Sequence, residues 1–258
     1  MAQQVQTGTV AANGATLYYE LRGSGPALLL ISGAEGDAEE YARVAPLLED
    51  QFTILSYDRR GFSRSPRPAG YAGTTVEEQA DDAAALLAAL EMEPVDLWGN
   101  SSGAIIGLAL ALRHPEAVRK AMLHEPPLFA GMGDYKQVLG FLKEATANGK
   151  VPFLRMLTGD VVYNSFSQGY RDRLLADDTW ITYEFNVFEY YRPTDDELAG
   201  AQTPVAVLYG AESPPFFGEA ARWLAGRLGT EARTIPGGHG AHYELPEDVA
   251  KAIRDLTA

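Results

Sequence analysis

Short apolar runs alternate along the chain with longer segments whose apolar residues recur at helical spacing. This alternation is typical of a largely parallel β-sheet with helices on its faces. The run Ala27–Ile31 is apolar throughout, as expected for a strand that is covered on both faces. Asn13-Gly14, between the alternating segments Gly8–Ala12 and Thr16–Glu20, predicts a tight hairpin turn. The other predicted strands are Phe52–Tyr57, Val95–Trp98, Val118–Leu123, Pro204–Tyr209 and Arg233–Ile235.

Helical spacing predicts five helices around these strands, at Tyr41–Leu48, Val76–Leu90, Ala104–Arg113, Phe216–Leu228 and Glu247–Leu256. The alternation stops between Pro126 and Arg192, a segment that holds half of the chain's aromatic residues. Apolar residues from Tyr135 to Leu142 predict one helix there, and Pro152 can open a second. We therefore predict an α/β fold with an eight-stranded, mostly parallel sheet flanked by helices. Residues 1–125 and 193–258 would form its core, and residues 126–192 a helical cap inserted after the sixth strand.

The composition of the 258 residues is that of a globular protein, with 46% hydrophobic and 22% charged residues. The formal net charge of −14 opposes binding to nucleic acid or to an anionic membrane surface. Because the chain has no cysteine, disulfides, zinc–thiolate sites and thiol catalysis are excluded. The first nine residues are polar and lack the apolar segment of a signal peptide, so we expect a cytoplasmic protein.

One short motif carries the strongest chemical signal. Gly99-Asn100-Ser101-Ser102-Gly103 has the form Gly-x-Ser-x-Gly and lies between a predicted strand and a predicted helix. In that setting a serine occupies a sharp, strained turn, and small neighbours leave it exposed to a substrate. The sequence therefore predicts that Ser101 is a nucleophile, with Ser102 as the rival hydroxyl.

A serine nucleophile needs amide groups that stabilise the negative oxygen of its tetrahedral intermediate. The amide of Ser102 is one candidate, because it follows the nucleophile at the start of a helix. The second donor is expected in the loop after the third strand, Ser32-Gly33-Ala34-Glu35-Gly36. Gly33 and Ala34 are both candidates for this oxyanion hole.

A serine nucleophile also needs a base, and the chain has four histidines. His239 lies in a glycine-rich loop after the last predicted strand and follows Ser101 in chain order, as the strand–turn–helix motif requires. His242 is the alternative. His114 lies at a helix end and His124 at a strand end, where structural roles are expected.

The acid that would orient the histidine has two candidates. The usual aspartate in the loop after the seventh strand is missing, because that place holds Ser213. Glu212 is adjacent to it, and Glu125 ends the sixth strand. We favour Glu125, because catalytic triads are defined by geometry rather than by chain order and a glutamate side chain can span the gap.

The residues Trp98–Ala104, His124-Glu125 and Pro236–His239 resemble motifs of the α/β-hydrolase superfamily and, within it, of the zearalenone hydrolase (lactonase) group. The superfamily resemblance covers essentially the whole chain and implies the α/β-hydrolase fold. The lactonase group has a glutamate after the sixth strand as its triad acid, which implies that role for Glu125. It opens a macrocyclic resorcylic lactone beneath a helical cap, where a tryptophan contacts the substrate. Trp180 lies at the comparable place in this sequence.

Helical spacing groups Trp180 with further aromatic residues, namely Tyr183, Phe188 and Tyr191. We expect this face to cover the site and to bind the apolar part of a substrate. The sequence thus predicts a serine hydrolase that cleaves a small apolar ester or lactone through an acyl-enzyme, with a zearalenone-type lactone as one candidate. No cofactor or metal is expected, and a monomer and a homodimer both remain open. A ligand-binding receptor of the same fold with little turnover, and an acyltransferase, are the alternatives.

Overall fold

The computed structural model of the protein describes residues 5–128, 135–147, 149–180, 182 and 190–258. Within these residues the strands are β1 (Gln6–Ala12), β2 (Ala15–Gly23), β3 (Ala27–Ile31), β4 (Thr53–Tyr57), β5 (Val95–Asn100), β6 (Val118–His124), β7 (Val205–Gly210) and β8 (Arg233–Ile235). They form one sheet in the order β1-β2-β4-β3-β5-β6-β7-β8. β1 and β2 run antiparallel to their neighbours, and β3 to β8 run parallel to one another. The eight-stranded, mostly parallel sheet predicted from the sequence is confirmed.

The helices cover both faces of this sheet. They are α1 (Val76–Ala89), α2 (Ser102–Arg113), α3 (Tyr135–Ala147), α4 (Lys150–Ser165), α5 (Gln168–Ala176), α6 (Asp195–Ala199), α7 (Pro215–Arg227), α8 (Ala241–Glu244) and α9 (Pro246–Thr257). In the described residues every helix is too short or too polar to cross a membrane.

Strand β3 shows why its sequence is apolar at every position. Leu29 and Ile31 belong to the core cluster on the side of α1, α2 and α7, whereas Leu28 and Leu30 belong to the cluster on the side of α9. Because side chains alternate between the two faces of a strand, a strand with a core on each side needs apolar residues throughout. The same strand ends at the loop that carries the oxyanion candidates.

The predicted hairpin turn forms, and one predicted helix does not. Asn13 and Gly14 both have positive φ angles, 46° and 75°, and join β1 to β2. The segment Tyr41–Leu48 is not an α-helix but contains two short 3₁₀ turns, Ala38–Tyr41 and Ala45–Leu47. Pro46 lies at the start of the second turn and cannot continue a longer helix, because it lacks an N–H group and its ring clashes with the preceding turn.

Helices α3, α4 and α5 lie between β6 and β7, where the sequence predicts an insertion. Both predicted helix positions, after Tyr135 and around Pro152, are helical. Part of this insertion packs on the core at α8: the Phe166 and Tyr243 rings lie 4.9 Å apart, and the Tyr170 and Tyr243 hydroxyls are hydrogen-bonded at 2.9 Å. The α8 contact fixes the insertion beside the loop that carries His239.

Candidate active site

Ser101 occupies a sharp turn between β5 and α2. Its backbone angles are φ 54° and ψ −121°, a strained conformation for a residue with a side chain. A Cβ atom on Gly99 would lie 2.3 Å from the carbonyl oxygen of Gly103, and one on Gly103 would lie 2.1 Å from that of Ile31. Both flanking positions of the motif therefore require glycine. The turn is further fixed by the Ser101 amide, which donates to the carbonyl of His124 at 2.9 Å.

His239 is hydrogen-bonded to Glu125 rather than to Glu212. The Nδ1 atom of His239 lies 2.6 Å from Oε2 of Glu125, and the other carboxyl oxygen accepts from the Gly210 amide at 2.8 Å. Glu125 is fully buried at the end of β6, whereas Glu212 is exposed. Burial raises the pKa of Glu125, but the hydrogen bond and the charge of His239 outweigh it and lower the pKa to about 2. Glu125 is therefore a carboxylate at neutral pH and fixes the orientation of the ring.

The other histidines lie in different environments. His242 is buried with Nε2 3.4 Å from Oε1 of Glu40, and burial lowers its pKa well below the usual value. His124 donates from Nδ1 to the side-chain oxygen of Asn100 at 2.7 Å, and burial lowers its pKa to about 4. Both rings are neutral at pH 7. His114 contacts Asp81 at 2.8 Å, at the end of α2.

The contacts of the loop after β3 distinguish the two oxyanion candidates, Gly33 and Ala34. The amide of Gly33 donates to Oε2 of Glu40 at 2.8 Å, so it is already engaged. In the described residues, the amides of Ala34 and Ser102 donate to no protein acceptor. The Gly33 carbonyl accepts from the guanidinium of Arg59 and from the amide of Gly36. These contacts hold the loop in place and leave the Ala34 amide available for a ligand.

Sequence reasoning missed Glu40 and Arg59. Both side chains are buried, at 0% and 1% exposure, directly behind the Gly33 turn. Burial lowers the pKa of Arg59 to about 10, which leaves it charged at neutral pH. A usable signal exists in the sequence, because Arg59 follows the apolar strand β4 almost at once, and a charged residue at the carboxyl end of a central strand is typical of a functional site.

A small apolar cavity of about 30 Å³ begins at Ala34 and Glu35. Phe62, Phe153 and Trp180 line it, and the Phe153 and Trp180 rings are stacked with their centroids 4.5 Å apart. The structure thus places Trp180, which the sequence predicts to bind substrate, beside the Ala34 amide.

Of the other three aromatic residues predicted on this face, Tyr191 lies within the described residues, and the structure does not bring it together with Trp180. Tyr191 is buried in the core cluster that includes the residues of α1 and α2. Tyr183 and Phe188 lie outside the described residues. Of the predicted aromatic face, Trp180 lines the cavity. The aromatic residues that line the cavity with it are Phe62 and Phe153, and neither was predicted from the sequence.

His239 opens onto a second, larger space. This cleft measures about 280 Å³ and is lined by His239, Met156, Phe216 and Phe217, with the carboxylates of Glu212 and Glu244 also on its wall. Phe217 stacks on the imidazole ring at 4.3 Å and also belongs to the cluster that contains Trp180. The ring of Phe217 thus lies between the Ala34 cavity and the His239 cleft. Among the described residues, no group of three or more histidine or carboxylate side chains could hold a metal ion.

Comparisons with known proteins agree with this architecture. The family model described as alpha/beta hydrolase fold matches residues 26–246. An uncharacterized hydrolase, YraK of Bacillus subtilis (strain 168), is 33% identical over 98% of this chain and 96% of its own length. The chain therefore belongs to the α/β-hydrolase fold family and is a hydrolase.

Two further proteins are similar over different extents. Zearalenone hydrolase of Bionectria ochroleuca is 35% identical over 118 residues, which are 45% of each chain. The crystal structure of carboxylesterase CesB (YbfK) from Bacillus subtilis superposes with a TM-score of 0.77 at 22% identity, covering 99% of this chain and 92% of that one. The match to zearalenone hydrolase confirms the resemblance to that group. The similarity to carboxylesterase CesB concerns the fold.

Proposed function

We propose that this hydrolase cleaves a carboxylic ester or lactone by a serine mechanism, with Ser101, His239 and Glu125 as its catalytic triad. The observation that carries the proposal is the 2.6 Å contact between His239 and the buried Glu125, combined with Ser101 in a strained turn on the same edge of the sheet. The names of zearalenone hydrolase and carboxylesterase CesB support an ester or lactone bond as the target.

In this mechanism the hydroxyl oxygen of Ser101 attacks the carbonyl carbon while Nε2 of His239 takes the hydroxyl proton. Collapse of the tetrahedral intermediate breaks the ester bond, and His239 gives the proton to the leaving alkoxide. Water then attacks the acyl-enzyme with His239 again as base, which releases the acid and restores Ser101. Glu125 remains ionised throughout, because its pKa is about 2, and stabilises the imidazolium.

The oxyanion hole in this proposal consists of the amides of Ala34 and Ser102. Gly33, the other candidate, already donates to Glu40, so using it would break a buried hydrogen bond. Each oxyanion donor of this type contributes ~100–1000-fold to turnover. The rigid contacts of Arg59 and Glu40 with the Gly33 turn keep the Ala34 amide in position.

The substrate in this proposal is a small apolar ester or lactone with its acyl part in the Ala34 cavity and its leaving group on the His239 side. The assignment of sides follows from chemistry, since the residue that donates a proton to the leaving group must face it. Residues 126–192 then act as a helical cap that supplies Trp180 to the acyl site. A zearalenone-type lactone is one candidate substrate.

The decisive experiment compares Ser101→Ala with Ser102→Ala on p-nitrophenyl acetate and butyrate and on a macrocyclic resorcylic lactone. We expect Ser101→Ala to reduce turnover by at least about 1000-fold with an unchanged melting temperature, because only the nucleophilic oxygen is lost. Ser102→Ala removes the rival hydroxyl but keeps its amide, so it should retain measurable turnover. Near wild-type activity of Ser101→Ala would refute the mechanism. Absence of Ser101-dependent turnover in the wild type, together with tight binding of the panel, would favour the receptor alternative.

A further inference from the structure

A carboxyl group lies directly beside the proposed oxyanion hole. Glu35 follows Ala34 in the chain and lines the same cavity. Its Oε2 atom lies 3.5 Å from the position that a Cβ atom on Gly33 would take, and the Cβ atom of Ser101 lies 3.3 Å from that position. Glu35 and the proposed nucleophile are therefore neighbours on one face of the Gly33 turn. The ester mechanism above assigns no role to this carboxyl.

The carboxyl groups of Glu35 and Glu40 are close enough to influence each other's ionisation. Burial raises the pKa of both groups, and the proximity of Glu35 raises that of Glu40 further. Two adjacent carboxylates repel each other, and the buried guanidinium of Arg59 offsets part of their negative charge. Glu40 is fully buried, whereas Glu35 is partly accessible from the cavity. Because the pKa of Glu40 is raised well above its usual value and that of Glu35 is raised less, Glu40 takes up a proton more readily, and Glu35 is the carboxyl group that faces a substrate.

Glu35 has capacity for another hydrogen bond. A carboxylate offers about four acceptor positions, and the Glu35 side chain lines the cavity, where a substrate donor can reach it. The other charged groups of the cavity are engaged elsewhere: Lys150 donates to the carbonyl of Leu174, and Asp177 accepts from the amides of Ser63 and Thr179. The rest of the cavity is mainly apolar, so a donor on a substrate would find its acceptor at Glu35.

We propose that Glu35 determines specificity by accepting a hydrogen bond from a hydroxyl group on the acyl part of the substrate, close to the scissile carbonyl. Ala34 directly precedes Glu35 in the chain, and its amide would hold the oxygen of the scissile carbonyl. The hydroxyl that reaches Glu35 must therefore lie close to that carbonyl. The preferred substrates are then hydroxy-acyl esters or lactones, with an apolar remainder packed against Phe62, Phe153 and Trp180. This inference rests on the proposed ester hydrolysis.

The test uses two matched pairs of substrates, ethyl mandelate with ethyl phenylacetate and ethyl 3-hydroxybutyrate with ethyl butyrate. The measured quantity is the ratio of kcat/KM for the hydroxylated ester to that for its deoxy partner. A hydrogen bond to a charged group corresponds to a ratio of roughly 10–100 in at least one pair. Glu35→Leu should bring this ratio close to 1. Glu35→Gln should give an intermediate ratio, because an amide of the same shape still accepts but carries no charge.

Glu116→Gln is the matched control, since Glu116 has a largely exposed side chain far along the chain from this loop, and it should keep the wild-type ratio. A ratio near 1 in the wild type for both pairs, or a high ratio that survives in Glu35→Leu and Glu35→Gln, would overturn the inference. If Glu35→Leu fails to fold, the nearly isosteric Glu35→Gln and the wild-type ratio still decide it. Failure of the ester mechanism itself looks different, because turnover of all four esters would then be absent or insensitive to Ser101→Ala.

Discussion

At the scale of single residues, Glu125 shows how a strand end can hold a carboxylate against a histidine. Its φ angle is +51°, so the chain turns away from the sheet directly after β6, and its side chain points to His239. The Glu125 amide donates to the carbonyl of Leu208, and the Gly210 amide donates to its carboxylate. The neighbouring strand β7 thus fixes both the backbone and the carboxylate of Glu125. An ionised, immobilised carboxylate can hold one tautomer of the histidine and stabilise its protonated form.

Glu125→Gln tests this role with almost no change of shape. The amide removes the negative charge and can favour the wrong histidine tautomer, so kcat should fall by roughly 100-fold or more. Glu212→Gln is the matched control, because Glu212 is an exposed carboxylate of the neighbouring loop, and its kcat should change by no more than about threefold. The measurement is kcat for p-nitrophenyl butyrate, together with the melting temperature of each variant.

The two substitutions discriminate the candidate acids in both directions. If Glu125→Gln keeps its activity and Glu212→Gln loses it, the acid at the end of β6 is the wrong assignment. If Glu125→Gln lowers the melting temperature strongly while kcat is preserved, Glu125 has a structural role only. A loss of kcat with little change in melting temperature supports the triad.

How far the site is predictable differs from residue to residue. The Gly-x-Ser-x-Gly motif and the chain order lead to Ser101 and His239 as predictions, because this chemistry requires a fixed local backbone and a histidine after the last strand. The choice between Gly33 and Ala34 was not predictable. It depends on Glu40, seven residues further on, and on Arg59 from the end of β4, whose contacts exist only in the folded chain.

At the scale of elements, patterning predicted the sheet well and the connections less well. Strand β3 and strand β8 have the predicted bounds, because continuous apolar runs and short distances between turns constrain them. The segment Tyr41–Leu48 has helical spacing but forms 3₁₀ turns, since Pro46 interrupts its backbone hydrogen bonds. Helix α8 was not predicted at all, because its four residues are too few to show a period.

Ionic contacts attach the insertion to the core at helix α5. Arg173 donates to Asp37 at 2.7 Å and to Glu39 at 2.7 Å, and Asp37 is fully buried. Arg64 from the loop after β4 donates to the other oxygen of Asp37 at 2.9 Å. The charge of Asp37 is thus shared between the core and the insertion, and removal of one arginine leaves a buried carboxylate with fewer partners.

Arg173→Ala should therefore lower the free energy of unfolding by about 1–2 kcal/mol, because Asp37 keeps its contact with Arg64 and Arg173 is itself partly exposed. Arg171→Ala is the control on the same helix. Arg171 is bonded to the Asn164 carbonyl and to Gln168, without a buried carboxylate, so the change should stay within about 0.5 kcal/mol. Urea denaturation measures both values. Equal losses in the two variants would show that α5 itself, rather than the contact with Asp37, sets the stability.

At the scale of the whole molecule, the site forms where the carboxyl ends of parallel strands meet the insertion. β3 leads to the Ala34 amide, β5 to Ser101, β6 to Glu125, and the chain after β8 to His239. Loops at this edge of a parallel sheet commonly carry function, because the rigid strands fix their starting points. Within the described residues, helices α4 and α5 and the residue Trp180 of the insertion all contribute side chains to the wall of the Ala34 cavity.

Trp180 is the residue through which the insertion should influence substrate choice. It is 7% exposed, stacks on Phe153 and shares a cluster with Phe62 and Phe217, which belong to the core. An aromatic acyl group in the cavity would pack against this indole, whereas an acetyl group would not reach it. Trp180→Ala should therefore raise KM for p-nitrophenyl phenylacetate by roughly 10-fold or more, since loss of about 1.4 kcal/mol of contact corresponds to that factor. KM for p-nitrophenyl acetate should rise less than about threefold.

The comparison needs a control, because truncation of a buried indole can also destabilise the protein by about 3–5 kcal/mol. Tyr190→Ala provides it: Tyr190 is an aromatic residue between β6 and β7 like Trp180, but it is 70% exposed, so neither KM nor the melting temperature should change appreciably. Packing damage in Trp180→Ala would lower kcat/KM for both esters by the same factor, because the triad itself would be displaced. A selective rise of KM for the aromatic ester can arise only if the indole contacts the acyl group, so the ratio of the two KM values, rather than either value alone, decides whether the insertion selects the substrate.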